Sequence, residues 1–369
     1  MGSLIILLLP YALLISALIG NVVELSYSRR NIYFFIFILV FCWLISWTTM
    51  DGPDYQNYYS HYQEIKYPSR AYLEQMDVGY NFLVYLFKIK LNVSFNTFRA
   101  VIYAMGFCLI GRTIWKCSQY PNFIILVYFF TLLAVDTVQI RNFIAFSFLF
   151  YALEQILSKK YLCTVILILT ASLFHKTFLV YLLIPIMVAI RKDIKPKDAI
   201  IVTVIIYLVV FFLQIAKPFI HATVAEIKDT YTTLNQISYL QSESRYGHWL
   251  HWGCHLFTVF MLFMFLPIDN KISENRPISV LSTVLKINIA LILFFPLFLF
   301  NNNYLRFYRN LYIFNLIWIY EGYKTSDKKN IYKTALLSIY LLIAFYCYSA
   351  ASACVPPIFL ESLLFRIKF

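Results

Sequence analysis

The sequence predicts an all-α, polytopic membrane protein with about twelve transmembrane helices. Three observations carry the membrane reading. Of 369 residues, 61% are hydrophobic and 13% charged, against roughly a quarter charged in soluble domains; mean hydropathy is +0.70. The apolar residues fall into runs of about the length that crosses a hydrocarbon core. Lysine and arginine concentrate in alternate short loops, which marks a cytoplasmic face. The chain, 1–369, reads as one integral membrane domain.

Taken in order, the expected spans are 4–22, 33–50, 98–115, 123–138, 143–157, 162–174, 178–190, 200–216, 249–267, 278–300, 305–320 and 331–349. The first lacks a basic flank and a small-residue cleavage site, so it reads as a retained helix. Runs 162–174 and 178–190 are short. They read as a tight hairpin that dips His175 toward the membrane from one side. Segment 78–91 reads as an interfacial or half-membrane helix, because a full span there would flip Arg29 and Arg30 outward. Arg112, Lys116, Lys159, Lys160 and the basic loops at 191–197, 271–276 and 324–333 then share the cytoplasmic face. The opposite, outer face receives both termini, the long loops 51–97 and 217–247, and the turns at 136–142, 175–177 and 301–309.

Several function classes lose support. The net charge of +13 is dispersed over short loops and forms no long basic run, so no nucleic-acid partner is expected. Seven cysteines form no CxxC pair. Cys42, Cys108, Cys163 and Cys347 lie in apolar runs and read as packing residues, without a disulfide framework. There is no P-loop, no GxGxxG after a strand and no GxSxG elbow, which removes support for ATP-driven transport and serine hydrolysis. His248, His251 and His255 stack on one helix face, but no second histidine cluster or HExxH glutamate accompanies them. They read as an interfacial polar stripe or a substrate-facing surface, and no metal or cofactor is expected.

The chemistry-bearing residues gather on the outer face. Arg141, Arg245, Arg306 and Arg309 stand where the positive-inside rule least expects arginine. Arg306 and Arg309 are three apart at a helix start and share a face. Their planar, permanently charged forks suit a diphosphate; a lipid head group would use the same physics. His175 is open to three roles: general base, phosphate donor, or a cap on the backbone of its turn. In Asp51-Gly52-Pro53-Asp54, Gly-Pro makes a turn and Asp54 is placed to cap a short helix. Tyr55, Tyr58 and Tyr59 follow at helical spacing, as a stripe for stacking on sugar rings or as an aromatic belt. Asp54 is the carboxylate placed to activate a hydroxyl.

These stretches resemble the EpsG-type and Wzy-type polysaccharide polymerases over nearly the full length. Asp54-Tyr55 with Tyr58, then Asp77-Val-Gly79-Tyr80, resemble "DY…Y" and "E-GY" signatures, with Asp77 where glutamate is usual. Ile140-Arg141-Asn142-Phe-Ile-Ala145 is similar to "IRQ-x-x-A", with Asn142 for glutamine. Phe174-His175-Lys176-Thr177 is similar to "FHxS", with Thr177 for serine, and Arg306 with Arg309 to a late arginine motif.

The resemblance implies a multi-pass, GT-C-like glycosyltransferase in the bacterial cytoplasmic (inner) membrane that polymerises polyprenyl-diphosphate-linked oligosaccharides on its outer face. O-antigen, capsule or exopolysaccharide would be the product. Arg141, Arg306 and Arg309 would bind diphosphate and stabilise it as leaving group. Asp54 or His175 would act as base. Tyr55, Tyr58, Tyr80 and Asn142 would line the substrate, and Arg245 would reach it from a loop. Membrane lipids and a chain-length-determining co-polymerase are the implied partners. Two rivals remain: a membrane O-acyltransferase using His175 as base, and a lipid-linked oligosaccharide flippase. The flippase should show charges deep in several spans and pseudo-symmetric halves, whereas here the charges gather at one mouth and no internal repeat is visible.

Overall fold

A computed structural model describes residues 30–48, 54–66, 77–190, 201–209, 211–213, 215–216, 247–265, 279–296, 302–325 and 331–350. Among these residues the chain is helical and contains no strand. The helices are α1 (Ile32–Thr48), α2 (Tyr55–Glu64), α3 (Val78–Tyr85), α4 (Phe95–Cys117), α5 (Pro121–Thr131), α6 (Leu133–Val138), α7 (Ile140–Leu157) and α8 (Tyr161–Phe174). After the 3-10 turn Lys176–Leu182 follow α9 (Leu183–Ala189), α10 (Gly247–Phe265) and α11 (Ser279–Ile292). The 3-10 turn Asn302–Leu305 leads into α12 (Arg306–Thr325), and α13 (Ile331–Phe345) ends in the π turn Tyr346–Ala350. The protein is a helical, polytopic membrane protein.

Two helices form the centre. Residues from Phe307 to Gly322 of α12 are buried. Of Ile140–Leu157, 78% is buried, against 28% of Ile331–Tyr348. Helix α7 therefore lies inside the bundle, whereas α13 turns Ile339 and Leu342 outward. Helix α4 packs on α7 through Gly106. A Cβ there would run into the Phe143 ring and Ser147 Oγ, at 2.8 Å from the latter. Small residues of this kind are how membrane helices approach closely when no hydrophobic force separates lipid from protein contacts. Polar pairs add directionality inside the bundle. Asn288 and Asn315 exchange amide hydrogen bonds at 2.8 Å between α11 and α12.

Among the described residues, three helices are long and apolar enough to cross a membrane: Phe95–Cys117, Ile140–Leu157 and Ile331–Tyr348. Others are shorter apolar helices, including Ile32–Thr48 and Tyr161–Phe174. The expected span 123–138 is two helices, because the chain turns at Leu132 between α5 and α6. The expected first span and loop 217–247 up to residue 246 lie outside the described residues.

Other expectations change locally. Asp54 does stand before α2, but its backbone is already helical and its side chain makes no capping bond. Tyr55, Tyr58 and Tyr59 do not form one stripe: Tyr58 is buried, and Tyr59 is exposed and stacked with Tyr55. The reason is packing. Tyr58 sets its ring edge-on to Tyr80 of α3, while Tyr55 and Tyr59 both lie against Phe95 of α4. His255 is buried against Phe295 and Tyr308, with its Nε2 3.3 Å from the Asn288 carbonyl. The sulfurs of Cys254 and Cys347 lie 2.8 Å apart, joining α10 to the turn after α13.

Candidate active site

Helices α7 and α12, both largely buried, begin at the same place, and both carry arginine in the first turn. Arg141 is the second residue of α7; Arg306 and Arg309 are the first and fourth of α12. Cations there add to the positive end of each helix dipole instead of offsetting it. Helix α7 takes Gln139 as N-cap without a side-chain capping bond. The arrangement is unfavourable for the helices themselves and suited to an anion lying between them.

Each arginine is held differently. Arg141 Nη1 donates to Asp77 Oδ2 at 2.8 Å, and its guanidinium lies 5.8 Å from the Tyr58 ring centre. Arg309, 4% exposed, donates through Nη2 to Gln139 Oε1 at 3.0 Å. Asp136 Oδ1 stands 3.6 Å from the same nitrogen, and its other oxygen accepts from the Tyr128 hydroxyl at 3.0 Å. Arg306 forms no ion pair among the described residues. Its Nη1 faces His175 Nε2 at 3.4 Å. Nε of both Arg141 and Arg309 is buried without a hydrogen-bond partner.

His175 occupies the break between α8 and the 3-10 turn, in extended conformation. Its Nδ1 lies 2.8 Å from Thr177 Oγ1. A guanidinium only donates, so Nε2 must accept from Arg306, and the remaining proton sits on Nδ1 and bonds the threonine. Burial, followed by the charges of Arg306, Arg141, Arg309 and Lys176, lowers the imidazole pKa to about 3. His175 is a neutral acceptor in this state. Tyr58 moves oppositely: burial raises its phenol, and the Arg141 charge partly reverses the rise.

Short elements fix these positions. Tyr181 donates its hydroxyl to the Phe307 carbonyl at 3.0 Å, tying the segment after His175 to α12. Asn142 donates to Asn310 Oδ1 at 3.4 Å, joining the starts of α7 and α12. His61 and Asn81 meet at 2.6 Å and dock α2 on α3. At Gly79 a Cβ would sit 2.9 Å from Leu173 Cβ and the Leu173 carbonyl oxygen, so only glycine lets α3 lie this close to α8.

The structure thus gathers Arg141, Asn142, His175, Arg306, Arg309, Tyr58 and Tyr80. Asp54 stands at the edge, close enough for its charge to act on Tyr58 and Arg306. Tyr55 lies further out, under the Arg99 guanidinium at 5.1 Å. Arg245 lies outside the described residues. Four participants have no assigned role in the sequence reading: Asp77, Asp136, Gln139 and Arg99. Arg99, 1% exposed and bonded to the Ser46 carbonyl at 2.8 Å, is a buried cation within an apolar run. That is a signal readable from sequence. Gln139 carries no such signal, since its importance comes from a contact with α12 far along the chain.

A family model, described as the EpsG family, matches residues 31–358 and so takes in every residue of this cluster. The chain belongs to the EpsG family. EpsG membership brings a membrane polysaccharide-polymerase-like role, of a glycosyltransferase-like kind. No curated protein and no solved structure matches this EpsG-family chain.

Proposed function

We propose that this EpsG-family protein, with about twelve membrane spans in a GT-C-like arrangement, joins polyprenyl-diphosphate-linked oligosaccharide units on the outer face of the bacterial cytoplasmic membrane. One observation supports it most. Three guanidinium groups converge at the N-termini of two central helices, and of these three only Arg141 and Arg309 have carboxylate partners among the described residues. The unbalanced charge at Arg306 matches a diphosphate, which combines high negative charge with forked oxygens.

In this reading the acceptor hydroxyl oxygen attacks the anomeric carbon of the donor sugar. The bond from that carbon to the diphosphate oxygen breaks, and the diphosphate keeps the electron pair. Arg141, Arg306 and Arg309 stabilise the charge that develops there. A carboxylate takes the hydroxyl proton. Tyr58, Tyr80 and Asn142 line the sugar-side wall; Asp54 and Tyr55 stand where the acceptor approaches, and Arg245 reaches in from its loop. Membrane lipids surround the donor's tail, and a co-polymerase sets chain length. The neutral His175, its lone pair engaged by Arg306, positions that arginine and weighs against the acyltransferase, which needs a free imidazole base.

The test is the surface-polysaccharide profile of a deletion strain complemented with wild type or Arg309→Ala. A single unit per carrier after deletion, with the ladder restored only by wild type, is the expected result. Long chains that persist but lose a decoration would overturn the polymerase reading.

A further inference from the structure

We propose that Asp77 occupies a phosphate subsite of the substrate-free protein and, once the donor displaces it, becomes the base that takes the acceptor proton. The inference rests on the polymerase reading above and adds the residue that reading leaves open.

Asp77 is the N-cap of α3, where a carboxylate ordinarily accepts from the helix's own N–H groups. It makes no such bond. Its two oxygens point away from α3 and are taken by donors of other elements: Oδ2 by Arg141 Nη1 at 2.8 Å and Oδ1 by the backbone N–H of Lys176 at 3.1 Å. A guanidinium and a main-chain amide converging on one group is how proteins hold a phosphate. Here that group is a side chain carrying one charge. The Arg141 Nε beside it remains buried and unbonded, so a forked anion can satisfy this guanidinium more fully than the carboxylate does. The donor's diphosphate carries more charge and oxygens on both sides of each phosphorus. It therefore displaces the carboxylate from both donors.

The displaced carboxylate stays at the site. The close contact at Gly79 holds α3 against α8 two residues away, and Tyr80 keeps α3 against Tyr58. With both donors taken by the diphosphate, the two carboxylate oxygens are open to accept from the acceptor hydroxyl. The acceptor O–H bond breaks and its proton passes to Asp77, while its oxygen bonds to the anomeric carbon and the bond from that carbon to the diphosphate breaks, the diphosphate keeping the electron pair. The acceptor is activated only after the donor is bound.

The experiment uses the full-length protein in nanodiscs with farnesyl diphosphate as binding probe, and lipid-linked units extracted from the deletion strain as substrate. Asp77→Asn keeps the shape and removes the competing charge. It should bind the probe on the order of tenfold more tightly than wild type and turn over at saturation about a hundredfold or more slowly. Asp77→Glu should restore both values toward wild type and shows that the position tolerates change. Unchanged or weaker binding by Asp77→Asn, or wild-type turnover at saturation, would overturn the inference. Where wild type binds the probe and polymerises, such a result leaves the polymerase reading standing. Wild type that neither binds the probe nor extends the extracted units overturns both.

Discussion

His175 and Arg309 illustrate how one side chain's surroundings decide its role. The imidazole pKa of about 3 lies below the ordinary 6.5, so as pH falls the unfolded chain takes up the proton first. The stabilising share of the neutral ring is complete above pH 6.5 and is lost as pH drops from 6.5 toward 3. Thermal melts across that window should therefore steepen in wild type relative to His175→Gln, whose amide accepts from Arg306 without titrating. The same variant should keep a polysaccharide ladder with less than about a tenfold loss of rate, whereas removal of a true base costs about 10²–10⁴-fold. A lost ladder in stable His175→Gln would return the base role to histidine. Arg309 is bound up with structure as well as chemistry. Arg309→Ala leaves Asp136, 1% exposed, without its cation, a change that costs about 3–5 kcal/mol when a buried pair is broken. Asp136→Asn in the same chain should recover much of that stability while the ladder stays absent. Recovery of both would make Arg309 a structural residue only.

Elements bring these residues together through close contacts that admit little change. Gly79→Ala forces α3 away from the Leu173 backbone and carries Asp77 off Arg141, so it should shorten or abolish polymer while the protein still melts near wild type. Gly106→Ala acts elsewhere. It pushes on the Phe143 ring within the α4–α7 contact and should cost about 1–3 kcal/mol, as overpacking does, read as a lowered melting temperature. Equal effects of the two on melting and polymer length would remove the distinction. What was legible in the sequence follows the same division. The start of α12 at Arg306, the break at His175 and the short α3 were all marked by local signals: polar residues interrupting apolar runs. The split between α5 and α6 was not, because Leu132 at the turn is as apolar as its neighbours. The inward turn of Tyr58 away from Tyr59 was hidden for another reason, since it depends on Tyr80, which periodicity along α2 cannot reveal. Asp77 and Gln139 likewise acquire partners only in three dimensions.

At the scale of the molecule, charge separates the two ends of the bundle. Helix α7 has 18 residues, which at 1.5 Å per residue is about 27 Å of rise. At its start lie Arg141, His175, Arg306 and Arg309. Near its other end Glu154 receives Arg112 at 2.5 Å and Lys116 at 3.6 Å. Glu321 caps the same region, accepting from the Gln119 N–H and from Ser118 Oγ, and Arg30 donates to the Trp115 carbonyl beside it. Lys159 and Lys160 follow directly after α7. The basic residues at that end lie in the last turns of α4 or in short connections and fit a cytoplasmic surface, whereas Arg141 and Arg309 at the start of α7 and α12 are drawn into the bundle by Asp77, Asp136 and Gln139. Two populations of cations thus occupy opposite ends for different reasons, and topology signals should be read from the first alone. A reporter active only outside the cytoplasm, fused after Lys176, should then be active, and one fused after Lys160 inactive. The reverse pattern would place the arginine cluster on the cytoplasmic side, where outward-flipped lipid-linked units cannot reach it, and the diphosphate of this reading would have to come from a donor on that face.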